Sequence, residues 1–152
     1  RGNSMKTLLR TIVLGLLIVS GGAIAGDDGE AKASLYERLG AMDGIKSIVS
    51  DTIALHVENE KIAHYFDGVD LDNLAHHVAA FFAAGTGGPA NYQGRDMTSA
   101  HEGMNMTDAD FDSAVADVLA AVKSNGVDDE SATEVAAILE SLRPAVMGAA
   151  AN

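Results

Sequence analysis

Residues 73–104, "NLAHHVAAFFAAGTGGPANYQGRDMTSAHEGM", carry three of the chain's five histidines. His76 and His77 are neighbours on an apolar, alanine-rich stretch, and His101 follows a glycine-rich one. Each residue of a helix advances about 100°, so the adjacent pair cannot share a face. His77 lies three positions after Leu74 and four before Phe81, a phase that turns it toward the side bearing Leu74, Val78, Phe81 and Phe82 and leaves His76 at the flank. From Gly85 to Asp96, residues Gly85, Gly87, Gly88, Pro89, Asn91 and Gly94 supply turn formers and few helix formers. That stretch is predicted to be a long irregular loop, and such loops in small domains usually serve function. His101 then sits between the small residues Ala100 and Gly103, which lets something large approach its ring.

Two histidines facing each other across a gap suit a metal centre, but two protein ligands leave most of a coordination shell empty. The chain has no cysteine, which removes disulfides, thiolate sites and thioether-attached haem from consideration. A planar tetrapyrrole that brings four nitrogens of its own makes up the deficit.

The rest of the chain reads as helix punctuation. Ser34 is predicted to cap a short helix through Arg38 that Gly40 ends, and Asp43 to cap a second one in which Ile45, Ile48, Val49, Thr52, Ile53 and either His56 or Val57 recur at helical spacing. Lys61 to Phe66 fits a further short helix. Asp70 opens a longer one that stops near Gly85. Thr107-x-x-Asp110 has the form of a capping box for a helix carrying Phe111, Val115, Val118, Leu119 and Val122, with Gly126 as its stop. The last helix begins near Asp128 or Asp129, presents Val135, Ile138, Leu139 and Leu142, and is expected to kink or end at Pro144. No useful period-2 stretch occurs, so an all-α domain built on two long helical hairpins is predicted.

Composition agrees with one globular domain: 152 residues, 47% hydrophobic and 21% charged. Residues 1–4 precede Met5 and read as a cloning remnant. Residues 5–25 combine the basic Lys6 and Arg10, an apolar run from Thr11 to Val19 and a small-x-small Ala23-Ile24-Ala25, the pattern of a signal peptide. The apolar run is well short of the roughly 20 residues that span a bilayer. Export, to the periplasm, is therefore expected. Residues 26–33 read as a flexible segment, 34–147 as the domain and 148–152 as a tail. Removing residues 1–25 takes away Arg1, Lys6 and Arg10 and no acid, so the formal charge deepens from −12 to −15. Such a surface repels phosphate backbones and anionic lipid, which argues against nucleic-acid partners and membrane-surface roles.

The segments "SLYERLG", "IAHYFDGVDLDNL", "AAFFAAGTGGPANYQGRDM" and "AHEGMNMTDADFD" occur in an order that resembles a group I truncated haemoglobin, over about Ser34 to Met147. The resemblance implies a shortened globin of two helices over two that encloses haem b and binds diatomic gases: O2, NO or CO. Carried over by position, His101 is the proximal ligand of the haem iron, and Phe66, Phe81 and Phe82 are haem-packing aromatics. Met97 and Arg95 belong to the cofactor-binding set, with Arg95 and Lys61 as candidates to neutralise propionates. Gly87 and Gly88 match the glycine pair that frees the chain ahead of the proximal segment.

The departures carry as much as the matches. The family usually has a tyrosine donor in the second helix, where this chain has Ile53, preceded by Thr52 in place of phenylalanine; Val78 stands where glutamine is common, and Leu74 at the position facing the ligand. A nearly donor-free pocket is expected, at a cost to oxygen affinity of roughly 1.5–3 kcal/mol from the lost charge-assisted hydrogen bond. His77 stands where a lysine or arginine near a haem propionate is common but resembles the histidine that binds iron in six-coordinate members; it is expected to close the sixth position when no gas is bound, the competing reading being a place at the pocket mouth near a propionate, and His76, one residue away, is the alternative ligand. His56 and His64 read as surface or boundary residues. Members that attach haem covalently use a histidine in the final helix, and none follows His101 here, so non-covalent haem is expected. The implied role is a monomeric gas-binding or redox haem protein; a nitric oxide dioxygenase served by an external reductase and a five-coordinate oxygen carrier are the alternatives.

Overall fold

The structure is a computed structural model that describes residues 32–148, so the expected cloning remnant, signal peptide and final four residues lie outside the described part. Six α-helices follow in order: α1 (Leu35–Arg38), α2 (Ala41–Glu58), α3 (Leu71–Gly85), α4 (Met97–His101), α5 (Asp108–Ser124) and α6 (Asp129–Gly148). A 3-10 turn, Ala63–Phe66, lies between α2 and α3. Among the described residues there is no strand, and no helix is long and apolar enough to cross a membrane.

Helix α2 packs against α3 and α5, and α6 packs against α5 and α4. The core closes where the small residues Ala79 and Ala83 of α3 and Ala121 of α5 admit the branched side chains of Ile45, Ile48 and Val49 from α2 and Val135 from α6. Ile45, Val122 and Val135 are completely buried; side chains of this size stabilise by about 1.5–3 kcal/mol each when removed from water.

The starts of the helices follow the sequence pattern closely. Ser34 and Thr107 form complete capping boxes with Glu37 and Asp110. Asp70 and Asp96 accept from the backbone amides of Asn73 and Ser99 and so open α3 and α4, while Asp128 takes both the amide and the hydroxyl of Ser131 at the start of α6. Each cap satisfies an amide that would otherwise have no partner within the helix.

Two expectations need correction. Helix α2 is not capped by Asp43: it begins at Ala41, directly after Gly40, whose φ of 85° is available to a residue without a Cβ. Gly40 both ends α1 and starts α2, so α2 begins three residues earlier than the cap pattern suggested. Of the two outcomes expected at Pro144, an end is ruled out, since α6 continues to Gly148 with the proline inside it. The lost amide is outweighed by what lies beyond it, since Val146 is buried and the Ala145 carbonyl accepts from the Thr98 hydroxyl on α4 at 3.2 Å.

Candidate functional site

A cavity of about 890 Å³ opens between the helices, within the ~300–1,000 Å³ range of ligand and cofactor sites. Its wall includes every cofactor or metal candidate named from sequence: Ile53 from α2, Phe66 from the 3-10 turn, Leu74, His77, Val78, Phe81 and Phe82 from α3, and Arg95, Met97 and His101 from the segment after the loop. The helical phase separates the adjacent histidines as expected. His77 lines the cavity and is half-buried, whereas His76 is exposed and takes no part in the wall.

His101 ends the five-residue helix α4, which Asp96 opens by accepting from the Ser99 amide and hydroxyl. Those hydrogen bonds hold the Asp96 carboxyl below the usual carboxylate range. The short helix also fixes the ring. Nδ1 of His101 lies 2.8 Å from the Met97 carbonyl oxygen one turn earlier; a carbonyl only accepts, so Nδ1 carries the proton and, in the neutral ring, Nε2 keeps its lone pair for a metal.

Tyr92 organises the opposite side of the loop, and the sequence reading missed it. Its ring stands edge-on to Phe81 at 5.2 Å and to His77 at 6.3 Å, and its hydroxyl donates to the Arg95 carbonyl at 2.6 Å. A Cβ on Gly94 would fall 2.6 Å from Cε2 of Tyr92, so the glycine makes room for the tyrosine. Among the described residues, Arg95 is the only lysine or arginine on the cavity wall. Lys61 is exposed and lies off that wall, which leaves Arg95 alone of the two expected propionate partners.

Beside the apolar Ile53, Leu74 and Val78, the cavity wall also carries polar side chains. His56, read as a surface or boundary residue, lines the cavity with its side chain 12% exposed. Of the two alternatives for the end of the α2 stripe it is His56 that turns inward, since Val57 is exposed. Nδ1 of His56 meets Asp117 Oδ2 of α5 at 3.0 Å. The same oxygen accepts from Asn59 Nδ2 at 2.8 Å, and that amide also donates to Ser113 Oγ at 2.9 Å. The ring stacks on Phe66 with centroids 5.3 Å apart. One turn earlier on α2, Thr52 also lines the cavity, and its buried Oγ1 has no hydrogen-bond partner among the described residues. Tyr65 shares the wall too; burial and its hydrogen bond to Asp110, 3.0 Å away, push its phenol up. His64 is exposed, as expected.

The residues present fit a haem. Among the described residues no group of three or more His, Cys, Asp or Glu could hold a bare metal ion, whereas one oriented imidazole suffices for a metal that arrives in its own nitrogen frame. Phe66, Phe81 and Phe82 offer apolar faces to a macrocycle, and Arg95 offers charge to its carboxylates.

Comparison with known proteins agrees. Residues 34–148 match the family model described as bacterial-like globin. The chain is 31% identical over 115 residues to the group 1 truncated hemoglobin of Tetrahymena pyriformis, covering 76% of this chain and 95% of that protein. It is 32% identical over 110 residues to the group 1 truncated hemoglobin GlbN of a Synechocystis species, covering 70% and 89%. The crystal structure of the Tetrahymena pyriformis protein in its Fe(III) form superposes with a TM-score of 0.74 at 30% identity, over 76% of this chain and 98% of that one. The 2/2 hemoglobin of a Synechococcus species, in the cyanomet state with covalently attached heme, gives 0.71 at 25% identity, over 76% and 99%. With its helices, its cavity and these matches taken together, the chain belongs to the bacterial-like globin family, as a group 1 truncated haemoglobin of two-over-two fold.

Proposed function

We propose that this chain holds haem b non-covalently, with His101 as the proximal ligand, and that it binds O2, NO or CO on the opposite side. The observation that carries the reading is the Met97 carbonyl 2.8 Å from His101 Nδ1, which commits the proton to one nitrogen and frees the other for iron. When bound, haem supplies an iron centre for diatomic gases and one-electron chemistry. Phe66, Phe81 and Phe82 exclude water from its faces, and Arg95 pairs with a propionate.

His77 closes the sixth position when no gas is present. Its place on the cavity wall and the apolar Ile53 and Val78 on the same wall support this, because an imidazole is a strong ligand and neither of these side chains can hold water. Tyr92 packs edge-on to the His77 ring and limits its swing. The protein then serves a redox or nitric-oxide-related role as a monomer, exported to the periplasm by residues 5–25. The absorption spectrum of the ferrous, gas-free protein tests this reading: sharp low-spin visible bands are expected, and lost in His77→Ala. Bands retained in that variant would transfer the role to another residue, with His76 first in line.

A further inference from the structure

Near the C-terminal end of α2 the cavity wall holds a group that gas binding does not need. His56 is side-chain buried apart from 12%, is anchored through Nδ1 to Asp117, and stacks on Phe66. A carboxylate oxygen only accepts, so the neutral ring carries its proton on Nδ1 and leaves Nε2 as a base. Nε2 has no hydrogen-bond partner among the described residues, and it is not sealed off, since the only buried unpartnered side-chain atom there is Thr52 Oγ1. Asp117 is itself held by Asn59, which keeps the carboxylate in place. Tyr65, the titratable group that the 3-10 turn contributes to the wall, is occupied in donating to Asp110.

We propose that His56 and Asp117 form an acid–base pair that equips the cavity for small neutral acids HX whose anion is the ligand of ferric iron, the class that includes hydrogen cyanide, hydrogen sulfide and hydrogen peroxide. The inference rests on the haem reading above. The step is a proton transfer: the H–X bond breaks, its electron pair stays on X, and the proton passes to His56 Nε2, with no change of oxidation state. Asp117 balances the imidazolium so formed. Thr52, on the same face of α2 one turn earlier, offers its unpaired hydroxyl as a donor to the anion. Asp117 is a positioning residue, since it fixes which nitrogen of His56 is free.

Hydrogen cyanide and carbon monoxide serve as probes, the first an acid and the second not. Both are mixed at neutral pH with haem-loaded protein, ferric for cyanide and ferrous for carbon monoxide, in a His77→Ala background so that the sixth position is open. His56→Gln is expected to lower the ratio of the cyanide to the carbon monoxide association rate by about tenfold or more, a threshold set below the roughly 10²–10⁴-fold that a positioned base contributes in general. A ratio within about threefold of the parent overturns the proposal, because a merely narrowed cavity slows both probes together. The nitrogen NMR spectrum of the diamagnetic carbon monoxide form reads the tautomer independently of any rate. The proton of neutral His56 is expected on Nδ1, and on Nε2 in Asp117→Asn, whose amide can donate to Nδ1. Finding it on Nε2 in the parent also overturns the proposal. Protein that shows no Soret band after haem addition fails the haem reading itself, a result distinct from either.

Discussion

The ring of Tyr36 occupies the space that a side chain on Gly88 would need: an added Cβ would lie 2.7 Å from Cγ and Cε2. The approach is held from both sides, since the Tyr36 amide donates to the Thr86 carbonyl at 2.8 Å and the Gly88 amide to the Ala83 carbonyl at 2.8 Å. The glycine pair thus pins the start of the loop to α1 before the chain travels on to His101. Gly88→Ala is expected to destabilise the haem-loaded protein by about 1–3 kcal/mol, as overpacking of a closed contact does. Urea unfolding measures it. In a Tyr36→Ala background the same substitution is expected to cost much less, since the obstructing ring is gone.

Arg95 is the one lysine or arginine that the described residues place on the cavity wall. Its guanidinium donates to the Ser99 carbonyl at 3.1 Å, leaving further N–H groups for an anionic partner. Arg95→Ala is expected to speed haem transfer to an acceptor apoprotein several-fold, while Lys61→Ala leaves the rate unchanged. Equal rates for Arg95→Ala and the parent would remove Arg95 from the site.

No histidine follows His101 in α5 or α6, so neither helix offers an imidazole for a covalent link to haem. Extraction into acidified butanone is therefore expected to strip all the haem, leaving colourless protein of apo mass by mass spectrometry. A residual population heavier by one haem would show a covalent link through another side chain.

The Asp110 carboxylate closes the capping box of α5 with Thr107 and accepts from Tyr65. These hydrogen bonds, those of the Thr107 amide and hydroxyl first, hold its carboxyl below the usual carboxylate range. A group whose folded value is depressed stabilises fully above its unfolded value, near 3.9, and loses that contribution as the pH falls through the lower folded value. Asp110→Asn is thus expected to lower the thermal midpoint at neutral pH, with the gap to the parent closing below about pH 4. Circular dichroism melts across that range check it; a gap that stays constant into acid would mean that charge has no part in the cap.

Much of this fold is legible in the chain because its signals are local. Ser34, Asp70 and Thr107 announce helix starts within a four-residue window, and Leu74, His77, Val78 and Phe81 fix the inward face of α3 by phase alone. In two places the deciding partner lay far along the chain. His56 is pulled inward by Asp117, which no spacing within α2 reveals, and α6 passes through Pro144 because α4 packs across it. Tyr92 lies in a segment without periodicity, and the collision at Gly94 that marks its place exists only in three dimensions. For His56 a signal was present and undervalued: it continues the face of Ile45, Ile48, Val49 and Thr52 by four residues.

A crystal structure of the haem-loaded protein tests the central claim directly. The expected result is iron bonded to Nε2 of His101, with Nδ1 of the same ring still donating to the Met97 carbonyl. Iron held by a different side chain, with the His101 ring turned out to solvent, would contradict it.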